Sequence, residues 1–202
     1  MTAVPGVPFA LTPSSDETWS IDEATIKVRA APHSDIFVDP GGGNQLNAES
    51  LLNAETLIGV PPDGDFQFSA RVSVDFAATF DAGVLLLWID DRNWAKLCFE
   101  FSPDREAMIV SVVARGVADD ANAFVVDGRT AWLRVSRIDQ AYAYHASLDG
   151  TTWRMIRFFA LGADAPASLG FEAQSPTGDG CDVTFDHIRF TRERLGDLRD
   201  GS

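Results

Sequence analysis

The stretch FQFSARVSVDF, residues 66–76, alternates apolar and polar residues without a break. Phe66, Phe68, Ala70, Val72, Val74 and Phe76 fall on one parity, and Gln67, Ser69, Arg71, Ser73 and Asp75 on the other. Successive side chains of an extended chain point to opposite faces, so this pattern predicts a strand with one buried and one wet face. The same period continues outward in both directions. Strands are expected over 18–21, 24–30, 35–38 and 51–58 before it, and over 82–90, 93–101, 107–115, 122–126, 131–138, 141–148, 152–160, 167–174 and 181–192 after it. Asp90-Asp91-Arg92-Asn93, Ser102-Pro103-Asp104 and Asp149-Gly150 have turn chemistry and join consecutive runs, which makes most consecutive strands antiparallel neighbours. A helix can be drawn only over 48–57, between a Gly-rich loop and Pro61-Pro62, and a strand fits there equally. Many short strands with turns at regular intervals indicate an all-β sandwich or barrel.

One such domain accommodates the 202 residues, and it is expected to run from about 8 to 192, with a charged tail, 193–202, that frays. Fourteen Phe and five Trp within a 46% hydrophobic composition supply a large core. A net charge of −14 repels phosphate backbones and anionic lipid, which argues against nucleic-acid and membrane partners. Cys98 and Cys181 lie in apolar segments without a CxxC or Cys–His grouping, so no zinc site is indicated. The N-terminus lacks the basic start and apolar run of a secretory signal, and no stretch approaches the roughly 20 apolar residues needed to span a bilayer. A cytoplasmic protein with both thiols free and buried is the expectation.

From residue 65 onward the motifs follow in the order DFQFSARVSVDF, DAGVLLLWIDDRNWAKLCFEF, IVSVVARG, WLRVSRIDQAYAYHASLDGTTWRMIRFF and GFEAQSPTGDGCDVTFDHIRF. This order, with HSDIFVDP at 33–40, resembles a family of uncharacterised bacterial and fungal proteins named for a yeast regulation of enolase protein. The resemblance covers roughly residues 15 to 192. Its most specific pieces are Asp90 to Lys96, the SxDGxxW element Ser147 to Trp153, and Gln174-Ser175-Pro176-Thr177-Gly178. It departs at ADDANAF, 118–124, where a Trp-containing loop would be expected. The resemblance places the chain in the concanavalin A-like lectin/glucanase superfamily and implies a two-sheet antiparallel jelly-roll sandwich. That superfamily spans lectins, glycosidases and structural modules, so it implies a fold rather than an activity.

In a jelly roll the concave sheet can line a groove for an extended ligand, so the facing of alternate residues matters. On 93–101, Leu97, Phe99 and Phe101 form the core set, which puts Lys96, Cys98 and Glu100 on the other face. On 107–115 and 131–138 the same logic selects Ser111 and Arg115, then Trp132 and Arg134. If those strands are neighbours, one face carries all of these residues. Trp88, Trp94, Tyr142 and Tyr144 offer flat faces for sugar C–H groups, and Arg134, Glu100 and Gln174 offer planar hydrogen-bonding groups. His33 stands with Asp35 and Asp39 in PHSDIFVDP. The candidate ligand-binding set is therefore Lys96, Glu100, Ser111, Arg115, Arg134, Trp88, Trp94, Tyr142, Gln174 and His33. The plainer alternative is a solvated sheet face, where cross-strand charge pairs are worth only about 0.2–1 kcal/mol each.

No catalytic residues are assigned. A glycosidase needs two carboxyl groups about 5–5.5 or 6.5–9.5 Å apart. The ExDxxE arrangement common among the superfamily's glucanases is absent; Glu100 lies mid-face and the facing of Glu172 is ambiguous. His33, His145 and His187 have no GxSxG elbow nearby. No cofactor is expected. Calcium would find oxygens at Asp63-Gly64-Asp65, Asp119-Asp120 and Asp179 to Asp182, but these read as turn aspartates. The glycine triplet 41–43 lacks the phosphate-cradle pattern. The leading expectation is a non-catalytic module that binds a carbohydrate or polyhydroxylated metabolite. A glycoside-processing enzyme and a regulatory protein-interaction domain are the alternatives, in a monomer or homodimer.

Overall fold

The computed structural model describes residues 1–42, 49–162 and 165–202, and among these the only regular elements are strands. In chain order they are β1 (Thr12–Pro13), β2 (Trp19–Asp22), β3 (Thr25–Arg29), β4 (Ile36–Phe37), β5 (Leu51–Leu52), β6 (Glu55–Gly59), β7 (Phe66–Val74) and β8 (Ala82–Asp90). There follow β9 (Asn93–Phe101), β10 (Ala107–Arg115), β11 (Ala118–Val125), β12 (Thr130–Ile138), β13 (Ala141–Ser147), β14 (Arg154–Phe159), β15 (Ser168–Gln174) and β16 (Asp182–Thr191). Two seven-stranded antiparallel sheets form a jelly-roll sandwich. The first has the order β1-β6-β15-β8-β9-β10-β11 and the second β14-β13-β12-β7-β16-β3-β2, while β4 and β5 pair separately.

The alternation in β7 translates directly into burial: Phe66, Phe68, Ala70, Val72 and Val74 are buried and the residues between them half-buried. They meet Leu97 and Phe99 of β9, Leu169 and Phe171 of β15 and Leu133 and Val135 of β12 in one core between the sheets. Burying each such Phe or Leu is worth about 1.5–3 kcal/mol. The sheets leave no room for a side chain at Gly83, where a Cβ would lie 2.5 Å from Val72 Cγ2 and 2.7 Å from Val183 Cγ1.

Several expectations change. The run 51–58 divides into β5 and β6, so no helix forms over its described part; Ala48, and Gly43 of the glycine triplet, lie outside the described residues. The strand expected over 122–126 begins earlier, so that ADDANAF, where the chain departs from the family resemblance, lies in the edge strand β11. Val4 and Leu11 enter the core, so the domain begins before residue 8. The tail does not fray: Leu195 is buried, and the Leu198 carbonyl meets His145 Nε2 at 2.9 Å. Most consequentially, 107–115 and 131–138 are not neighbours. β10 lies between β9 and β11, whereas β12 lies between β7 and β13 in the other sheet. The face built by joining them therefore splits in two. Among the described residues no helix is long and apolar enough to cross a membrane.

Candidate functional site

β8 and β9 are buried on both faces, because Ile36 and Phe37 of β4, with Val38 and Ala54, cover the side of the first sheet turned away from the second. A second apolar layer results, with Ile36, Val84, Leu86, Trp94, Cys98, Val110 and Val112 buried in it. Polar side chains are set into this layer by register. Lys96 lies across from Leu86, Cys98 from Val84 and Glu100 from Ala82, and on the far side of β8 Val84 faces Glu172 and Ala82 faces Gln174. Since all occupy one parity, Lys96, Cys98, Glu100, Glu172 and Gln174 share one face.

Lys96 is the centre of the group. It is only 2% exposed, and its Nζ donates to Asp35 Oδ1 at 2.8 Å and to Gln174 Oε1 at 2.7 Å. Glu172 Oε1 lies 3.9 Å away, beyond hydrogen-bonding reach, and Nζ stands 5.8 Å from the Trp94 ring centroid. Burial works against the ammonium, but the negative charges around it, Asp35 foremost, hold its pKa above the ordinary value. Burial pushes Glu172 up to about 8 and Glu100 up to about 8, with Lys96 opposing in both cases. Asp120, across β10 from Lys96, is also raised, first by burial. Glu172 is wholly buried, yet neither carboxyl oxygen has a hydrogen-bond partner among the described residues, and neither does Trp94 Nε1.

Two sequence motifs meet to place Asp35. Ser34 of HSDIFVDP pairs backbone to backbone with Ser175 of QSPTG, and Ser175 donates its hydroxyl to buried Asp81 at 2.6 Å. Asn53 Oδ1 accepts the Asp35 N–H at 3.0 Å, and Asn53 Nδ2 donates to the His33 carbonyl at 3.2 Å. A Cβ on Gly178 would lie 2.6 Å from Ala78 Cβ, so only glycine fits that turn.

The structure thus brings together Lys96, Glu100, Gln174, Trp94 and Trp88, the last half-buried across from Trp94. It separates the others. Ser111 pairs with Leu97 and takes that residue's parity, facing the core, because β10 is apolar on both parities and its pattern is uninformative. Tyr142 and Tyr144 pack in the core and offer no platform. Arg115, at the end of β10, donates to the Ala160 carbonyl. Arg134 and Trp132 sit on the other sheet. His33 is exposed in the turn preceding β4, with φ 51°. Asp35, noted from sequence only beside His33, proves to be the partner of Lys96, and Glu172 falls on the Lys96 face. Among the described residues no group of three His, Cys, Asp or Glu could hold a metal ion. Asp65, a candidate calcium ligand, instead accepts from Arg194 at 3.0 Å and from the Asp139 N–H at 2.8 Å.

The architecture is an antiparallel jelly-roll sandwich with a charged cluster under a roofed sheet face. The chain belongs to the family described as Protein of unknown function (DUF1349), which matches residues 14–193. Among solved structures it is similar to a functionally unknown protein from Saccharomyces cerevisiae, 22% identical with a TM-score of 0.78, covering 90% of this chain and 95% of that one. It is also similar to the GH43 protein BlXynB of Bacillus licheniformis, 14% identical with a TM-score of 0.69, covering 87% of this chain and 35% of that one. A xylan β-1,4-xylosidase from Bacillus halodurans is 10% identical with a TM-score of 0.68, covering 95% and 40% respectively. At these identities the likeness shows the fold alone, and the chain spans well under half of the two enzymes. No curated protein matches the sequence.

Proposed function

We propose that the chain is a non-catalytic binding module that takes a neutral carbohydrate, or a similar polyhydroxylated molecule, on the sheet face around Lys96. The observation that carries this reading is Glu172, a buried carboxyl group without a hydrogen-bond partner among the described residues, beside a buried lysine. Leaving such a group unsatisfied costs about 1–3 kcal/mol, which a fold tolerates where a ligand will supply the partner. Glu172 and Glu100, protonated for the most part at neutral pH, each offer a donor and an acceptor. Trp88 supplies an apolar face. Asp35 already balances the charge of Lys96, so the site favours a neutral ligand over an anion.

An acid–base hydrolase would need one ionised and one protonated carboxyl group. Glu100 and Glu172 are both raised, and Asp35 is held by Lys96, which favours binding over that chemistry. A ligand reaches this face past the β4–β5 ribbon, in which Ile36 pairs with Leu52 and Phe37 with Leu51. Kinship with the regulation of enolase proteins and a cytoplasmic setting belong to the same proposal; both cysteines are free and buried, as suits a reducing compartment.

The test is a thermal-shift screen against neutral mono- and oligosaccharides, with xylose and xylo-oligosaccharides first because chains of this fold include a xylosidase. A ligand for the native state raises the melting temperature by mass action. A rise that disappears in Trp88→Ala supports the reading. No rise with any sugar, or an equal rise in the variant, contradicts it.

A further inference from the structure

On the outer face of the other sheet, the outward parity of β12 carries Trp132 and Arg134. The turn after β13 is built around Asp149, whose Oδ1 accepts N–H groups from Thr151 and Thr152 at 2.8 and 2.7 Å and the Ser147 hydroxyl at 3.0 Å. Gly150 has φ +75°, and a Cβ there would lie 2.7 Å from the Trp132 ring, so the turn packs on the indole only as glycine. The turn delivers Trp153 to Arg134, whose guanidinium carbon stands 4.2 Å from the Trp153 ring centroid. From the other side, β16 is irregular between Asp186 and Arg189, and His187 takes φ 48°, with its ring 5.1 Å from that of Trp132. Bulges of this kind re-aim side chains and gather at functional sites.

The SxDGxxW element and this irregularity enclose a groove of about 230 Å³, floored by Gln67, Ser69 and Thr191. Arg134 is 7% exposed; one Nη donates to the Gly201 carbonyl, and its Nε has no partner among the described residues. Arg71, 6.0 Å from the Trp132 ring centroid, is already committed to Asp186 through two hydrogen bonds. Burial pushes Arg134 down to about 10, with no carboxylate among the described residues opposing it. A desolvated guanidinium without a counter-ion is costly, and a planar carboxylate is its best complement.

We propose that this groove is a second ligand site, separate from the Lys96 face, which takes a monosaccharide acid such as a hexuronate. The carboxylate meets Arg134, the sugar ring lies against Trp132 and Trp153, and the ring hydroxyls meet Gln67, Ser69 and Thr191. Exposed Arg189 adds positive charge at the rim, while exposed Glu193 disfavours a dianion such as phosphate.

The experiment follows the indole N–H signals of the five tryptophans in the full 15N-labelled chain at physiological salt, assigned by single Trp→Phe variants. Glucuronate and galacturonate are expected to move Trp132 and Trp153 saturably and to leave Trp88 and Trp94 in place. Glucose and inorganic phosphate should move neither groove signal. Arg189→Gln, at an exposed position, should weaken the uronate response severalfold, and Arg134→Lys, which keeps the charge but loses the planar fork, should weaken it further. Stationary Trp132 and Trp153 signals at tens of millimolar uronate, or an equal response to phosphate or glucose, overturns the proposal. Failure of the Lys96 reading would show elsewhere, as unmoved Trp88 and Trp94 signals in neutral sugar.

Discussion

The Lys96 ammonium and the Asp35 carboxylate, 61 residues apart in the chain, meet at 2.8 Å over the outer face of the first sheet. The two ends of this pair are not equivalent. Lys96 is 2% exposed, whereas the Asp35 side chain is 15% exposed and can reach water.

Removing either partner should therefore have unequal cost. Asp35→Asn leaves a buried cation without its hydrogen-bonded counter-ion and should cost about 3–5 kcal/mol. Lys96→Met leaves a carboxylate that can hydrate, and should cost about 1–3 kcal/mol. Urea unfolding of both variants checks the order; a costlier Lys96→Met would mean that Asp35 is not the group that keeps Lys96 charged.

The raised acids set a pH dependence. Glu172 titrates near 4.5 when unfolded and at about 8 in the fold. Below the lower value both states hold the proton and the group has no effect. Between the two, only the folded state holds it, so stability falls as pH rises and the loss is complete above about 8. Glu100 acts in the same sense. Unfolding free energy should decrease from slightly acid to alkaline pH, and Glu172→Gln should flatten the slope. A rise in stability over that window would contradict the assignment.

Burial pushes the Cys98 thiol well up, and Cys181 up to about 12. Thiolate is the reactive form, so a disulfide reagent at neutral pH should label neither residue in the native protein and both after denaturation. Rapid labelling of the native chain would show that the second apolar layer opens readily.

Deleting residues 194–202 should uncover His145, whose pKa is lowered first by burial, with the Leu198 carbonyl opposing. Its pKa should rise toward 6.5, and loss of buried Leu195 should cost about 1.5–3 kcal/mol. Imidazole NMR titration of the full and shortened chains measures the first; an unchanged value would mean that the tail does not cover the ring.

The strand pattern was legible because β7 and most of its neighbours are wet on one side, where period two survives. It failed where both faces are dry. β10 is apolar on both parities, which hid the facing of Ser111, and the ribbon over β8 and β9 is what encloses Lys96. Pairing order was also hidden, since β12 bonds to β7 across a long sequence gap and not to β10. That is why Arg134 fell among residues it never meets. The partners of a single buried lysine, reached from three separate segments, leave no periodic trace in any one of them.

The most direct test of the binding account is the melting temperature of Glu172→Met with and without the sugar that stabilises the wild type. If the bare carboxyl group is kept for a ligand, the variant melts higher than wild type alone, by an amount reflecting about 1–3 kcal/mol, and no longer responds to the sugar. A variant that melts lower, or that keeps the full sugar response, would show that Glu172 is a structural partner of Lys96 and contradict the account.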